Sequence, residues 1–514
     1  MRTYKIGTRG SLLAVTQSTL IKNELERISG EKFELVLIQT QGDQITNKPL
    51  WQLEGKDFFT KELDEALLTE KVDFVIHSYK DLGSERPAGI QLAAITERRF
   101  SHDILLMPQA TIDQLENWQG ELIVGTSSPR RIANLTHSLD KFLPHLKAQS
   151  TPIRCETLRG NVNTRIKKLR DGNYHAITLA LAGLERLAHG EKSREELEDL
   201  LKGLNYFVLP QSLFPSAASQ GALGIEMNGN RQDDGKLAGI LDKLNHSTTI
   251  QEVRREREAF KSYGGGCHLA VGIHVKKIGE NYLHVHSGEI DGVRIEKKFL
   301  EGQLIPQTEK NKKIFVGLPS GSKTNVVYDQ LISKISVKHE LKLDGKHVFV
   351  TSKYTIPTLK ASSDSKPQGV WAAGTKTAQE LCSQGIWING TSDSTGTKDL
   401  MDLKGSQVLK MLHAGIEQKW IVLSHDQATS DLGDVVGSYK RVKQNVSANF
   451  VNDLQHVGAC LWTSFYQYQE YLTQYPFLKE ARHYCGLGKT WQEFQKAGVN
   501  VTPVASMQDF YELK

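Results

Sequence analysis

Short apolar runs separated by amphipathic stretches recur along the N-terminal part of the chain. Between the runs, 11–28 and 61–70 have helical periodicity, and the first of these stretches places Leu20, Ile21 and Leu25 on one side. The runs have the length of strands and lie at 3–7, 33–38, 72–76, 122–124 and 175–180. This alternation predicts an α/β fold with loops at the ends of its strands.

The pattern changes beyond residue 226. A charged helix is predicted over 250–260, and Val271, Ile273 and Val275 then alternate with other residues as in a strand. Asp291-Gly292 has the composition of a hairpin turn. These features predict a small α+β domain with an antiparallel sheet, and the polar stretch 302–313 that follows it is predicted to be a linker.

The C-terminal part of the chain contains an internal repeat. Thr351-Ser352 recurs as Thr463-Ser464 at an offset of 112, and the Gly/Thr/Lys stretch around Thr377 recurs around Thr490 at an offset of 113. Matching offsets predict two related α/β units. Each would have a strand ending in Thr-Ser and then a turn at a helix start, where backbone N–H groups favour an anion.

Composition narrows the class of protein. A chain of 514 residues is expected to form about three or four domains. No apolar run approaches the ~18 residues of a membrane span, and residues 1–6 have no signal-peptide pattern, so we expect a cytoplasmic protein that does not bind membranes. The five cysteines form no CxxC pair, which predicts neither a disulfide framework nor a metal site. The net charge of +5 comes with no basic, aromatic-rich run of the kind that binds nucleic acid.

Polar loops that contain arginine, or lysine in one case, follow several of the predicted strands. In open α/β sheets, ligands bind beyond the carboxyl ends of strands, and that is where these loops fall. Arginine binds carboxylates and phosphates bidentately, so the loops predict a cleft for a polyanion. The chain has neither a GxxxxGK[ST] nor a GxGxxG motif after a strand, which favours several carboxylates over a nucleotide. The loops are 7–11, 77–81, 125–131, 157–165 and 182–186.

Two residues carry candidate chemistry within this setting. Asp81 is a carboxylate among guanidinium groups, which keep it ionised and leave it able to stabilise a cation on a substrate. The alternative is a helix cap or an ion pair with Lys80. Cys267 follows three glycines, on which a thiol is accessible for covalent attachment. The alternative there is a flexible turn with an incidental cysteine.

Together, these motifs resemble the porphobilinogen deaminase (hydroxymethylbilane synthase) family. The resemblance runs from about Lys5 to about Glu296. It rests on eight ordered motifs: Thr8-Arg9-x-Ser11, Gly55-Lys56-x-Phe58-Phe59-x-Lys61-Glu62-Leu63, His77-Ser78-x-Lys80-Asp81, Gly125-Thr126-Ser127-Ser128-x-Arg130-Arg131, Leu158-Arg159-Gly160-Asn161-Val162-x-Thr164-Arg165, Ala182-Gly183-Leu184-x-Arg186, Gln220-Gly221-Ala222 and Gly265-Gly266-Cys267.

The resemblance implies a dipyrromethane cofactor bound through a thioether to Cys267, on which four porphobilinogens are condensed with loss of ammonia to hydroxymethylbilane. Asp81 would contact pyrrole nitrogens and stabilise the cations that form on them. Cofactor and substrate would be bound by side chains of the arginine loops and their surroundings. Those residues are Arg9, Ser11, Gln17, Lys56, Phe59, Lys80, Thr126, Ser127, Ser128, Arg130, Arg131, Arg159, Arg165 and Arg186.

The C-terminal region resembles uroporphyrinogen-III synthase, a two-lobed α/β enzyme that acts on hydroxymethylbilane. Its substrate carboxylates would be bound near Ser352, Thr375, Thr463 and Lys489. The alternative is a diverged pair of lobes that only stabilises or recruits. A further alternative for the whole chain is a polyanion-binding sensor without turnover, which would leave Cys267 and Asp81 idle.

The implied fold class is α/β, with two lobes like those of periplasmic binding proteins, a small α+β domain, and a two-lobed α/β region. We expect a monomer whose only partners are its small-molecule substrates. The expected domains are 1–98 with 221–240, 99–220, 241–301, a linker at 302–313, and 314–514 with lobe A at 314–338 and 450–514 and lobe B at 339–449.

Overall fold

A computed structural model describes residues 3–40, 60–83, 85–145, 151–266, 268–302, 312–415 and 419–511. It has two compact units. Unit 1 comprises Met1–Lys276, Val285–Glu296 and Asp402–Glu417, and unit 2 comprises Lys277–His284, Lys297–Met401 and Gln418–Lys514. No described helix has the length and apolar character needed to cross a membrane.

Strands and helices alternate between Thr3 and Leu300. The strands are β1 (Thr3–Arg9), β2 (Lys32–Ile38), β3 (Phe74–Ser78), β4 (Ile90–Ile95), β5 (Asp103–Pro108), β6 (Leu122–Gly125), β7 (Ile153–Glu156), β8 (Ala176–Ala180), β9 (Leu204–Val208), β10 (Leu223–Asn228), β11 (Ala270–Ile278), β12 (Asn281–Ile290) and β13 (Val293–Leu300). The helices are α1 (Leu12–Ser29), α2 (Lys61–Leu68), α3 (Gln109–Ile112), α4 (Pro129–Ser138), α5 (Val162–Arg170), α6 (Leu181–His189), α7 (Glu191–Leu201), α8 (Lys236–Asp242) and α9 (Ser247–Ser262).

Unit 1 contains two five-stranded sheets. The first has the order β2-β1-β3-β10-β4, in which β1 runs parallel to β2 and β3, while β10 runs antiparallel to β3 and β4. The second has the order β7-β6-β8-β5-β9, in which β5 is the strand antiparallel to its neighbours. The chain enters the second sheet after β4 and returns to the first at β10. A return over 221–240 was expected from the family resemblance.

The strands β11, β12 and β13 form a three-stranded sheet in that order. The connection between β12 and β13 is Asp291-Gly292, and both residues have positive φ, 49° and 77°. A two-residue type I′ turn requires positive φ at both positions, so the predicted hairpin is present.

The remaining chain again alternates strands and helices. Its strands are β14 (Lys313–Val316), β15 (Val326–Tyr328), β16 (Ile332–Ser336), β17 (Lys346–Val350), β18 (Gly369–Ala372), β19 (Gly390–Thr391), β20 (Lys419–His425), β21 (Asp434–Lys443), β22 (Val457–Trp462), β23 (Arg482–Gly486) and β24 (Thr502–Val504). Its helices are α10 (Ile356–Ala361), α11 (Thr375–Cys382), α12 (Lys398–Lys404), α13 (Gln407–Leu412), α14 (Ala448–Gln455), α15 (Phe465–Gln474), α16 (Lys489–Lys496) and α17 (Met507–Tyr511).

Unit 2 also has two sheets, of orders β15-β14-β22-β23-β24 and β16-β21-β20-β17-β18-β19. The predicted α/β class is confirmed. The strand β16 pairs antiparallel with β21, with Lys334 opposite Arg441, so it belongs to the six-stranded sheet. The chain therefore changes sheets between Tyr328 and Ile332, earlier than the expected lobe boundary at 338.

A segment far along the chain packs in unit 1. The helix α13 buries Val408, Leu409 and Met411. The Glu185 carboxylate on α6 accepts hydrogen bonds from the Ser406 hydroxyl and from the backbone N–H groups of Gln407 (3.2 Å) and Val408 (3.1 Å). Unit 1 therefore includes residues that the sequence assigned to lobe B.

Candidate active site

The candidate catalytic acid lies just beyond a buried strand. β3 leads into a 3-10 turn, Tyr79–Asp81, whose backbone is continued by Leu82. Tyr79 and Leu82 are buried, Lys80 is half-buried and Asp81 is exposed. Because a 3-10 turn has three residues, side chains at positions i and i+3 lie on one side. The turn therefore buries its apolar side chains and leaves Asp81 accessible.

Three cations share the surroundings of Asp81. Burial lowers the pKa of Lys80 to about 8 and those of Arg165 and Arg186 to about 10, while the charge of Asp81 opposes each shift. The charges of Arg131 and Arg159 also lower the pKa of Arg165. Cations disfavoured in this way would gain from a bound anion. Lys80 lies in the turn after β3, Arg165 on α5 and Arg186 on α6, so segments that follow separate strands carry the charges that interact with Asp81.

Protein partners orient two of these cations. The Lys80 Nζ donates to the Gln220 side-chain oxygen at 3.2 Å. Arg186 donates to the Gly221 carbonyl at 2.8 Å and to the Ser78 hydroxyl at 3.4 Å. Gly221 has φ +94°, and a Cβ there would lie 2.9 Å from the Arg99 carbonyl oxygen, so glycine is required beside Arg186.

Arg130 and Arg131 are buried and paired with Asp103. The Asp103 carboxylate, 1% exposed, accepts from Arg131 at 2.7 and 3.0 Å and lies 2.8 Å from Arg130. Burial opposes ionisation of Asp103, yet the two guanidinium charges hold its pKa well below the usual range. Arg130 and Arg131 therefore also organise the protein, because part of their hydrogen-bonding capacity is used internally.

Several predicted hydroxyl and amide groups also have internal partners. Ser127 donates to the Leu158 carbonyl at 2.8 Å and links the loops after β6 and β7. Ser11 caps α1 by accepting from the Ala14 N–H, and Gln17 accepts from Ser78 at 3.3 Å. The Thr126 side chain accepts from the Ser128 N–H at 3.3 Å, and Ser128 precedes α4. These groups shape the loops.

Arg9 and Arg159 are the remaining predicted cations among the described residues. Arg9 is half-buried at the end of β1. Burial lowers the pKa of Arg159, and its Nε is a buried atom with no hydrogen-bond partner in the described structure. Lys56, Phe59 and Cys267 lie outside the described residues.

Sequence reasoning missed the residues that support the site. Asp103 has a sequence signal, since it is an acid at the start of the apolar run Ile104-Leu105-Leu106. Glu256 and Arg257 on α9 have none, because charged residues are common throughout that helix. Both contact residues that lie far away in the sequence.

The predicted residues of unit 2 lie at starts of helical segments. Ser352 and Ser464 precede helical turns and have nearly the same backbone conformation, φ −159°, ψ 153° and φ −156°, ψ 153°. Thr375 and Lys489 begin α11 and α16. Thr463 donates to the Gly317 carbonyl at 2.9 Å, so its hydroxyl is engaged internally. The repeat predicted from the sequence thus has matching local structure.

A group of cations and aromatic rings in unit 2 was not predicted. Lys334 on β16 lies directly opposite Arg441 on β21, and its ammonium is 5.7 Å from the centre of the Tyr354 ring. Arg441 is 4.0 Å from the centre of the Tyr466 ring and donates to His425 at 3.2 Å. Burial and the charges of Arg441, Lys489 and Lys334 lower the pKa of His425 to about 4. His425 is therefore neutral at pH 7, and we call Lys334 and Arg441 the unit 2 cation group.

Comparisons with known proteins support the family resemblance that the N-terminal part of the chain shows. Residues 4–236 match the family model described as porphobilinogen deaminase, dipyromethane cofactor binding domain, which confirms the predicted dipyrromethane cofactor. A protein named porphobilinogen deaminase from Gloeobacter violaceus is 37% identical over 277 residues, which are 54% of this chain and 77% of that protein. One of the same name from Geobacter metallireducens is 37% identical over 310 residues, 60% of this chain and 87% of that protein.

Solved structures give weaker likenesses. A uroporphyrinogen-III synthetase from Helicobacter pylori has a TM-score of 0.29 and 15% identity, covering 39% of this chain and 97% of that chain. A periplasmic sulfonate-binding protein from Methylobacillus flagellatus has a TM-score of 0.25 and 15% identity, covering 51% of this chain and 72% of that chain. Neither structural likeness is close enough to assign function. The sequence relatives are close enough to assign the family. The chain belongs to the porphobilinogen deaminase family, whose members make tetrapyrroles with a covalently attached dipyrromethane cofactor.

Proposed function

We propose that this protein condenses four porphobilinogen molecules to hydroxymethylbilane on a dipyrromethane primer attached at Cys267. We further propose that residues 314–514 close that product to uroporphyrinogen III. The observation that carries the first proposal is that Asp81 is exposed and that its charge acts on three desolvated cations, Lys80, Arg165 and Arg186.

The charges of this site match the substrate. Each pyrrole of the substrate carries an acetate and a propionate, and a growing chain therefore adds two carboxylates per step. Cations with a pKa lowered by burial bind such groups favourably, because the ligand supplies the counter-charge that the protein lacks. Arg165 and Arg186 retain donors that can point to a ligand, since among the described residues each makes one or two of its five possible hydrogen bonds.

Asp81 would act on the pyrrole itself. Loss of ammonia leaves positive charge on the pyrrole, and the surrounding cations would oppose that charge. An ionised carboxylate at this position stabilises the cation and accepts a hydrogen bond from a pyrrole N–H. The cofactor supplies the covalent primer on which the chain grows.

The attachment is tested by intact mass measurement of the purified protein. The expected result is a mass increase equal to one dipyrromethane on the peptide that contains Cys267. Cys267→Ser should lose both the adduct and the formation of hydroxymethylbilane, whereas Cys155→Ser, a half-buried cysteine elsewhere, should retain both. Full activity of Cys267→Ser would contradict the attachment. A protein that binds porphobilinogen without any turnover would support the sensor instead.

The proposal for residues 314–514 is supported by the unit 2 cation group. Like charges directly opposite on paired strands destabilise a sheet unless an anion lies between them, and Lys334 and Arg441 have this arrangement. The aromatic rings of Tyr354 and Tyr466 beside them offer surfaces for flat apolar rings. A linear tetrapyrrole has both carboxylates and pyrrole rings.

The isomer of the product tests this proposal. The expected product is uroporphyrinogen III, whereas hydroxymethylbilane that cyclises unaided gives the symmetrical isomer I. Lys334→Gln with Arg441→Gln should shift the product towards isomer I. Lys440→Gln is the matched control, because Lys440 is exposed on the same strand and its side chain points to the other face of the sheet. Isomer I from the unaltered protein would favour a non-catalytic C-terminal region.

A further inference from the structure

The turn that carries Asp81 is bound by one residue of α9. Arg257 donates to the backbone carbonyls of Leu82 at 3.0 Å and Gly83 at 2.8 Å, and to that of Tyr79 at 3.3 Å. Its guanidinium also lies 4.6 Å from the centre of the Tyr79 ring. Three carbonyls on either side of Lys80-Asp81 are thus held by a single side chain.

Apolar contacts fix the same turn against α9. Tyr79, Leu82 and Val253 belong to one buried cluster, and Ile250 packs against it. The 3-10 geometry places Tyr79 and Leu82 on the side that faces this cluster. The orientation of Asp81 therefore depends on how the turn sits on α9.

The helix α9 is itself anchored where the chain crosses between the two sheets of unit 1. Glu256, fully buried, accepts from Arg98 at 2.5 Å on the outgoing crossing and from the Ser219 N–H at 2.7 Å on the returning one. It also accepts from the Val275 N–H at 2.9 Å at β11. Arg257 thus projects from a helix whose neighbouring residue is held at three points.

We propose that Arg257 is a positioning residue for the deaminase reaction, which holds the Asp81 turn in its working orientation on α9. The inference rests on the proposed role of Asp81. The helix ends at Ser262, shortly before Cys267 in the sequence, so it also connects the turn of the acid to the proposed attachment loop. Arg257 acts through the turn and needs no contact with substrate.

The test is a double-mutant cycle between Arg257 and Asp81. Arg257→Gln removes the fork that binds three carbonyls, and kcat should fall about 10- to 100-fold, since small misplacements of a catalytic group have effects of this size. KM should change less than about threefold, and the adduct mass should remain. Arg257→Lys keeps the charge and one donor group, so it should recover part of the loss.

Non-additivity identifies the route of the effect. If Arg257 acts through Asp81, Arg257→Gln combined with Asp81→Asn should have the same kcat as Asp81→Asn alone. Multiplicative effects, or an unchanged kcat in Arg257→Gln, would overturn the inference while leaving the role of Asp81 intact. An unchanged kcat in Asp81→Asn would instead overturn the proposed function.

A matched variant separates positioning from general damage. Arg254→Gln alters an exposed arginine one turn earlier on the same helix and should leave kcat within about twofold. If Arg257→Gln lacks the adduct, the cycle is run with Arg257→Lys. The decrease in kcat that Arg257→Lys causes should then be absent when Asp81→Asn is also present. Persistence of that loss would overturn the inference.

Discussion

Lys80 connects the chemistry of the site to pH. Burial lowers its pKa to about 8 although Asp81 opposes the shift, so we expect the ammonium to lose its proton around pH 8. Only the protonated form binds a carboxylate. We therefore expect kcat/KM for porphobilinogen to fall above pH 8, approaching a tenfold loss per pH unit, in a pH–rate profile.

Lys80→Arg is the control for this assignment. A guanidinium stays charged across the same range, so the alkaline fall should move to higher pH even if the absolute rate decreases. An alkaline limb that is identical in both proteins would assign the titration to another group.

Asp103 stabilises unit 1 as the counter-ion of Arg130 and Arg131. Asp103→Asn leaves two buried guanidinium groups with only neutral partners, and breaking a buried pair of this kind typically costs about 3–5 kcal/mol. The free energy of unfolding should fall by about this amount in urea titrations. Glu97→Gln, which breaks the exposed pair with Arg99, should change it by less than about 1 kcal/mol. Equal effects would refute the importance of the buried charge.

The sequence identified the cations of the site but not their internal partners. Arg130, Arg131 and Arg186 were predictable because arginine in a loop after a strand signals anion binding. Their engagement with Asp103 and Gly221 was not, because it depends on residues 28 and 35 positions away. The positive φ of Ser219, +68°, was equally unpredictable, because a serine gives no sequence signal for a left-handed backbone.

At the scale of elements, apolar periodicity located most of the strands that precede Leu181, and turn composition located the hairpin at Asp291-Gly292. Periodicity did not predict that β16 pairs with β21, because a short strand with Lys334 and two serines has no clear apolar face. The return of the chain at β10 came from the family resemblance alone. Apolar periodicity indicates which face of a strand or helix is buried. It does not indicate which other element packs or pairs with it.

The helix α9 contributes to stability through Glu256. Burial would raise the pKa of this carboxyl, but Arg98 and His274 outweigh it and lower the pKa to about 2. A lowered folded pKa stabilises the protein above the unfolded value of 4.5, and this contribution disappears as pH falls towards 2. A shift of this size corresponds to about 3 kcal/mol.

We therefore expect Glu256→Gln to reduce the free energy of unfolding by about 3 kcal/mol at pH 7. The difference from the unaltered protein should shrink steadily between pH 4.5 and 2. Urea titrations at several pH values measure it, with the exposed Glu258→Gln on the same helix as the control. A difference that does not vary with pH would show that the charge of Glu256 is not involved.

At the scale of the whole molecule, unit 1 depends on residues beyond 400. The helix α13 covers apolar surface with Val408, Leu409 and Met411, and the Tyr206 hydroxyl and His413 lie 2.8 Å apart. A chain that ends at residue 301 keeps every deaminase motif but loses these contacts. We expect it to unfold at lower urea concentration and to self-associate through the uncovered surface.

Size-exclusion chromatography and urea unfolding of the 1–301 chain measure this expectation. The same midpoint as the full chain, together with a monomeric elution volume, would contradict it. A variant of the full chain, Leu409→Ala, provides a smaller change at the same place. It should cost about 2–5 kcal/mol, since Leu409 is 1% exposed.

The packing of α13 in unit 1 could not be predicted from the sequence. A motif indicates which family its own stretch of chain resembles, and it does not indicate which distant stretch packs against it. The linker at 302–313 followed from composition and stays a prediction, since most of it lies outside the described residues. The hydrogen bond between Glu185 and Ser406 joins residues whose sequence positions differ by 221, and no pattern in either segment points to the other.

The docking of α13 in unit 1 has a consequence for synthesis on the ribosome. When residue 301 has been translated, all deaminase motifs exist, yet the surface that α13 covers stays open until residues near 412 emerge. At ~5–20 residues per second this delay is roughly ten seconds. During that interval the nascent residues 1–301 expose the apolar surface that α13 later covers, and chaperones can bind there.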